Sequence, residues 1–214
     1  MEAATLLSTR GKAVVGIAYP KELLEIMEKE VSPGEVLEVG APVKPEKTLL
    51  GSGFIIDSAA IVVTNFHIVR MGLPAWVSLT DGRKFTDSEL VDFDCRRDIA
   101  VLRTKNGPED LPTIEMGDSA AVAVGDRIYA VGYPLGFENS ISDGLVSGIR
   151  EPEGIQMLEM TAPLSSGSSG GVVYDTHGKV IGISAGTYTG GENINFAIPI
   201  NDLRALFEPP TDVR

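Results

Sequence analysis

Short apolar runs rich in Val, Ile and Ala recur along this chain, at residues 13–18, 53–56, 61–64, 75–79, 99–103, 127–132, 171–174, 180–184 and 194–200. Each is closed by turn-forming residues such as Gly, Asp or Asn. Strand-length runs separated by turn signals every 8–12 residues or so predict an all-β sandwich or barrel and argue against alternating βαβ units. The 24 glycines fit that pattern. Asp81-Gly82, His177-Gly178 and Gly190-Gly191 stand between strand candidates, where hairpin turns need positive φ.

Two stretches depart from the strand pattern. Residues 21–30 follow Pro20 and place Leu23, Leu24 and Met27 on one helical face. The simple expectation is a small helix packed on a barrel; the sharper one is a regulatory or oligomer-contact insertion. Together with the proline-containing loop at 31–47 it forms an insertion spanning 20–47. Residues 201–207 predict a terminal helix, with Asn201 as its cap and Leu203, Leu206 and Phe207 docking. The polar stretch at 105–110, ending in turn formers around Pro108, is the best linker. It divides the chain into an N-terminal β-barrel with its insertion, 1–107, and a C-terminal barrel with the terminal helix, 108–214.

Charge and cysteine content exclude several functions. Thirty acidic residues against 18 Lys and Arg leave a net charge of -12, so the surface repels phosphate backbones and no nucleic-acid partner is expected. Cys95 is the only cysteine, which rules out an intrachain disulfide and a thiolate metal cluster. No metal and no cofactor are expected. The N-terminus has no signal-peptide core and no apolar run reaches membrane length, so membrane insertion is not expected. As written the chain reads as cytoplasmic; trimmed from a longer precursor, it reads as periplasmic or extracytoplasmic.

The chemistry concentrates at Gly167-Ser168-Ser169-Gly170-Gly171, which is followed at once by the strand candidate Val172-Val173-Tyr174. Glycines there allow a sharp turn that aims backbone N–H groups at one point, the requirement of an oxyanion hole. A plain Ser/Gly turn has the same composition. The string also matches G-x-S-x-G, but the hydrolase elbow needs a helix after the serine and a histidine well downstream. A strand follows here, and His177 falls in a hairpin turn eight residues on. The other histidine, His67, closes the apolar run that starts at Ile61, so it has a rigid platform from which to act as the base a serine hydroxyl needs. Asp98 precedes the strand candidate Ile99-Ala100-Val101-Leu102 and reads either as a turn residue or as the carboxylate that orients His67. The order His67, Asp98, Ser169, spread over two β halves, favours the second reading, with all three catalytic.

These residues carry a resemblance. Gly51-Ser52-Gly53-Phe54-Ile55-Ile56, Thr64-Asn65-Phe66-His67, Asp98-Ile99-Ala100-Val101-Leu102, Val124-Gly125-Asp126, Gly132-Tyr133-Pro134-Leu135-Gly136, Gly144-Leu145-Val146-Ser147-Gly148 and Asn195-Phe196-Ala197-Ile198-Pro199 are similar, block after block, to HtrA/Deg-type trypsin-like serine proteases. The resemblance implies two six-stranded antiparallel barrels with the active site between them, and an endopeptidase acting on unfolded or exposed polypeptide in protein quality control. It implies a triad of His67, Asp98 and Ser169, an oxyanion hole at Gly167, Ser168 and Ser169, and substrate binding by Leu164, Ser184, Ala185, Gly186 and Asn195. Ser184, Ala185 and Gly186 resemble the strand that pairs with substrate backbone, and the Ser184 hydroxyl is expected to reach Asp98.

Three departures from the family pattern stand out. Ser168 replaces the usual Asn, and no charge at this position can lock the oxyanion loop, so residues 165–168 need uncharged contacts to hold them. No PDZ module fits after the terminal helix, and no export signal is visible. A homo-oligomer stays open, although residues 1–18 contain none of the aromatics that hold related trimers together. The segment preceding Ser169 contains no carboxylate, so an apolar residue is expected before the scissile bond, with Leu164 in the pocket wall. The competing reading is a weakly active or inactive trypsin-fold module that binds polypeptide in the manner of a chaperone.

Overall fold

In the computed structural model, residues 13–18, 49–70, 75–105, 107, 111–133, 140–187 and 193–207 are described. Along them run β1 (Val14–Ala18), β2 (Leu49–Asp57), β3 (Ile61–Thr64), α1 (Phe66–Val69), β4 (Trp76–Ser78), β5 (Lys84–Phe85), β6 (Ser88–Asp94) and β7 (Ile99–Thr104). There follow β8 (Arg127–Gly132), β9 (Ser140–Arg150), β10 (Met157–Met160), β11 (Val172–Tyr174), β12 (Val180–Thr187), β13 (Asn195–Pro199) and α2 (Ile200–Phe207). The expected helix at 21–30, the loop at 31–47 and most of the linker at 105–110 lie outside the described residues.

The strands form two antiparallel sheets. The first has seven strands in the order β5-β4-β1-β2-β3-β7-β6; the second closes into a barrel, β10-β13-β12-β11-β8-β9. The all-β architecture with a C-terminal helix is as expected. Every apolar run named above lies within or overlaps a strand. The strands that periodicity did not reveal are β5, β6, β9 and β10. β9 reads Ser-Ile-Ser-Asp-Gly-Leu-Val-Ser-Gly-Ile-Arg, and only Val146 and Gly148 in it are buried. With so little apolar surface to hide, it carries no hydrophobic signal, and its partners β8 and β10 hold it in place.

One apolar cluster joins the sheets: Val14, Phe54 and Val101 from the first pack with Tyr129, Val172 and Ile183 from the second. That shared core fixes the two sheets against each other, and the loops at its rim meet. α2 packs Ile200 and Leu203 into the core, whereas Phe207 stays 47% exposed and does not dock as expected. Nor does Asn201 cap the helix, since its amide donates to Asp118 Oδ1 at 2.7 Å and its backbone N–H to Ser119 Oγ at 3.1 Å.

Candidate active site at the junction of the two sheets

The turn between β6 and β7 is built by an aspartate. Asp94 Oδ1 accepts the backbone N–H groups of Arg96 and Arg97, each at 2.9 Å, and its Oδ2 accepts Arg97 Nη1 at 2.7 Å. Partial burial pushes the Asp94 carboxyl up, but these hydrogen bonds outweigh it and hold the group below its ordinary range. The turn delivers Asp98 with φ 59°, a left-handed conformation that aspartate tolerates better than most residues. Its carbonyl is fixed by Phe66 N–H at 3.2 Å and by the amide of the fully buried Asn65 at 3.0 Å.

His67 does not end a strand as the sequence suggested. β3 stops at Thr64, and the histidine sits in the single turn α1, aimed back at Asp98. Asp98 Oδ1 accepts the His67 backbone N–H at 2.7 Å, and Oδ2 accepts ring Nδ1 at 2.7 Å. With Nδ1–H committed to the carboxylate, Nε2 is the acceptor and has no partner among the described residues. The His67 side chain is 42% exposed, open enough to meet a polypeptide. His177 lies far from this constellation in sequence, 80% exposed in the Asp175–Gly178 turn.

Ser169 reaches the same rim from the second sheet. Its carbonyl accepts Ser52 N–H from β2 at 2.7 Å, and its Oγ donates to Ala185 O at 3.2 Å. Ala185 also lines a cleft with Asp98, so the residue whose carbonyl accepts the Ser169 hydroxyl and the residue whose carboxylate holds His67 border one depression. Among the described residues no hydrogen bond joins Ser169 Oγ to His67; engaging Nε2 requires the hydroxyl to leave Ala185 O. The loop before the nucleophile is a turn closed by Ser168 N–H to Ser165 O at 2.9 Å, with Gly167 at φ 91°. That bond consumes the Ser168 amide and removes it from the expected oxyanion set. The N–H groups of Gly167 and Ser169 have no acceptor among the described residues.

The expected substrate-binding residues divide. Leu164 and Ser184 line a cavity of about 280 Å³ beside the nucleophile loop, with Val131, Ile141 and Pro163. Ala185 and Gly186 line a second of about 300 Å³, with Met157 and Phe196. β12 pairs β11 as far as Ile183, with Ser184 still bonded to Gly170 and Gly171, and beyond it no strand among the described residues pairs with 185–187 on that side. Two expectations fail. The Ser184 hydroxyl is buried without any partner and makes no bond to Asp98. Asn195 is buried, its Oδ1 accepting Thr187 Oγ1 at 2.8 Å, and serves β12–β13 packing.

Asn65 and Ser52 carry site geometry that sequence reasoning did not assign. The signal was that both stand in blocks that carry the family resemblance, Ser52 beside Gly51 and Gly53 and Asn65 two residues before His67. No cluster of three or more His, Cys, Asp or Glu able to hold a metal occurs among the described residues.

A family model described as a trypsin-like peptidase domain matches residues 51–183, more than half of the chain. The chain belongs to the trypsin-like peptidase family. Among its curated relatives, the periplasmic serine endoprotease DegP of Escherichia coli is 38% identical over 166 residues, which is 73% of this chain and 35% of that protein. The chloroplastic Protease Do-like 1 of Arabidopsis thaliana is 32% identical over 169 residues, 74% of this chain and 38% of the relative. The chain therefore spans little more than a third of these relatives' length. A solved structure of a variant of the HtrA-type protease AlgW with a tripeptide superposes with a TM-score of 0.76 at 26% identity, covering 96% of this chain and 62% of that one. These similarities support the HtrA-type resemblance. They give the cytoplasmic expectation no support, since DegP is periplasmic by name. No helix among the described residues is long and apolar enough to cross a membrane.

Proposed function

We propose that this trypsin-like peptidase is a serine endopeptidase acting on polypeptide outside the cytoplasm, with Ser169 as nucleophile, His67 as general base and Asp98 as its orienting carboxylate. One observation carries the reading: Asp98, which holds the His67 imidazole, lines the same cleft as Ala185, whose carbonyl accepts the Ser169 hydroxyl, and the N–H groups of Gly167 and Ser169 have no acceptor among the described residues. In the first step Ser169 Oγ attacks the peptide carbonyl carbon and its proton passes to His67 Nε2. The carbonyl oxygen becomes an oxyanion held by the N–H groups of Gly167 and Ser169. Collapse returns the proton to the leaving amine and leaves an acyl-enzyme, which water hydrolyses with His67 again as base. Each oxyanion donor is worth about 2.7–4 kcal/mol in the transition state.

The edge at residues 185–187, unpaired by any strand among the described residues, suits the backbone of an extended substrate. Among the described residues no carboxylate lines either flanking cavity, so an apolar side chain fits before the scissile bond and a basic one would find no partner among them. The test is labelling with a fluorophosphonate and hydrolysis of unfolded casein. Adduct on Ser169, and loss of both activities in Ser169→Ala and His67→Ala with the fold intact, are expected. Undiminished cleavage by either variant would sink the assignment.

A further inference from the structure

We propose that Ser52 is a positioning residue that preforms the oxyanion-binding amides by clamping the nucleophile loop from the opposite sheet. The assignment rests on the peptidase reading above and adds a residue to it.

Ser52 is fully buried, and all its polar atoms are engaged. Its N–H donates to Ser169 O at 2.7 Å and its Oγ–H to Gly167 O at 2.6 Å. The same Oγ accepts Tyr133 N–H at 2.7 Å, and Ser52 O accepts Thr64 Oγ1 at 2.7 Å. A hydroxyl has one proton to give. Because Tyr133 N–H occupies a lone pair of Oγ, the proton is steered to the Gly167 carbonyl. The two carbonyls that Ser52 holds bracket the Ser168–Ser169 peptide, which carries the Ser169 N–H, and anchor Gly167 at its carbonyl, across one Cα from its own N–H.

The bonds of Ser168 cannot do this. Ser168 N–H to Ser165 O, Ser165 N–H to Ser168 Oγ and Gly171 N–H to Ser168 O, at 2.9, 3.2 and 3.0 Å, all close on the loop itself. They shape the turn without tying it to the body of the protein. Ser52 ties the loop at the Gly167 and Ser169 carbonyls, and the approach it needs is cleared by glycine: a Cβ on Gly132 would lie 3.1 Å from Ser52 Oγ and 3.3 Å from Ser168 Cα. A neutral, doubly bonded hydroxyl thus stands where a buried charge would otherwise fix the loop.

The experiment compares wild type, Ser52→Ala and Ser88→Ala with a fluorogenic apolar peptide and a peptide boronic acid that forms a tetrahedral adduct. Ser88→Ala is the control, since it removes another buried hydroxyl, bonded to Ala75 O at 2.6 Å, away from the site. For Ser52→Ala, kcat should fall roughly 10–100-fold, below the cost of deleting an oxyanion donor outright, with KM within about threefold. Boronate affinity should fall in step with kcat, while Ser88→Ala keeps wild-type values. Equal kcat and boronate affinity in Ser52→Ala and Ser88→Ala would overturn the assignment. If Ser52→Ala does not fold, Ser52→Cys keeps a weak donor of similar shape, and it should show an intermediate loss; no loss overturns the proposal. An inactive wild type sinks the peptidase reading and this assignment with it, whereas an active wild type matched by Ser52→Ala sinks only this one.

Discussion

The Asp98 carboxylate holds His67 at two points, accepting its backbone N–H through Oδ1 and its ring Nδ1 through Oδ2, both at 2.7 Å. One carboxylate therefore fixes the start of α1 and the tautomer of its histidine together. Both bonds need an acceptor. In Asp98→Asn one of the two must face an amide NH2, so either the backbone anchor or the Nδ1–H tautomer is lost. A fall in kcat of about four orders of magnitude is expected, with KM and the melting temperature changed little. Steady-state kinetics on a fluorogenic peptide reads this out, and near-wild-type turnover would show that Asp98 does not orient the base.

Where the two halves touch, side-chain bulk is not tolerated. Gly170 has φ 82°, and a Cβ there would run into Ser52 O and Thr64 Oγ1. Backbone strain and overpacking each cost about 1–3 kcal/mol, so Gly170→Ala should lose roughly 2–5 kcal/mol in urea unfolding. Gly186 supplies the contrast, because a Cβ there meets nothing within 4 Å, and Gly186→Ala should be near neutral in stability.

The apolar cavity beside the nucleophile loop makes a statement about specificity. Leu164 lines it with Val131 and Ile141, and no carboxylate lines it among the described residues. Cleavage of a peptide library is expected mainly after Val, Ala or Leu. Leu164→Asp should shift the preference weakly toward Lys and Arg, since a carboxylate without a prepared hydrogen-bond shell is poorly stabilised. Wild-type cleavage dominated by Lys or Arg would contradict the apolar reading.

What the sequence disclosed depended on how each residue contributes. Strands such as β7, where Ile99, Ala100, Val101 and Leu102 are all buried, announce themselves by composition. β9 does not, because its place is dictated by partners on both sides and not by its own apolar surface. The chemistry-bearing residues His67, Asp98 and Ser169 stood out through residue type and order along the chain. Ser52 and Asn65 did not, since their value lies in hydrogen bonds to carbonyls distant in sequence, at Gly167 and Asp98. Ser168 misled in the opposite direction: its position beside the nucleophile suggested an oxyanion donor, but the turn bond to Ser165 takes its amide.

The turn that delivers Asp98 is itself sensitive to acid, and the sign follows from Asp94. Its carboxyl lies below the ordinary aspartate value of 3.8, because the bonds from Arg97 and Arg96 outweigh the burial that pushes it up. A carboxyl depressed in the folded state contributes stability that is present above its unfolded pKa and lost as pH falls through the folded one. Asp202, which faces the same Arg97 at 3.6 Å, behaves oppositely: burial raises its pKa above 3.8 despite the attraction of Arg97. Its contribution is present below the unfolded value and is lost as pH rises through the folded one. Melting curves should therefore show the gap between wild type and Asp94→Asn narrowing as pH drops below 3.8. For Asp202→Asn the variant should gain on wild type as pH climbs above 3.8. Profiles that run parallel to wild type in both variants would show that neither carboxyl is coupled to folding, and that the Asp94–Arg97–Asp202 contacts do not stabilise the turn carrying Asp98.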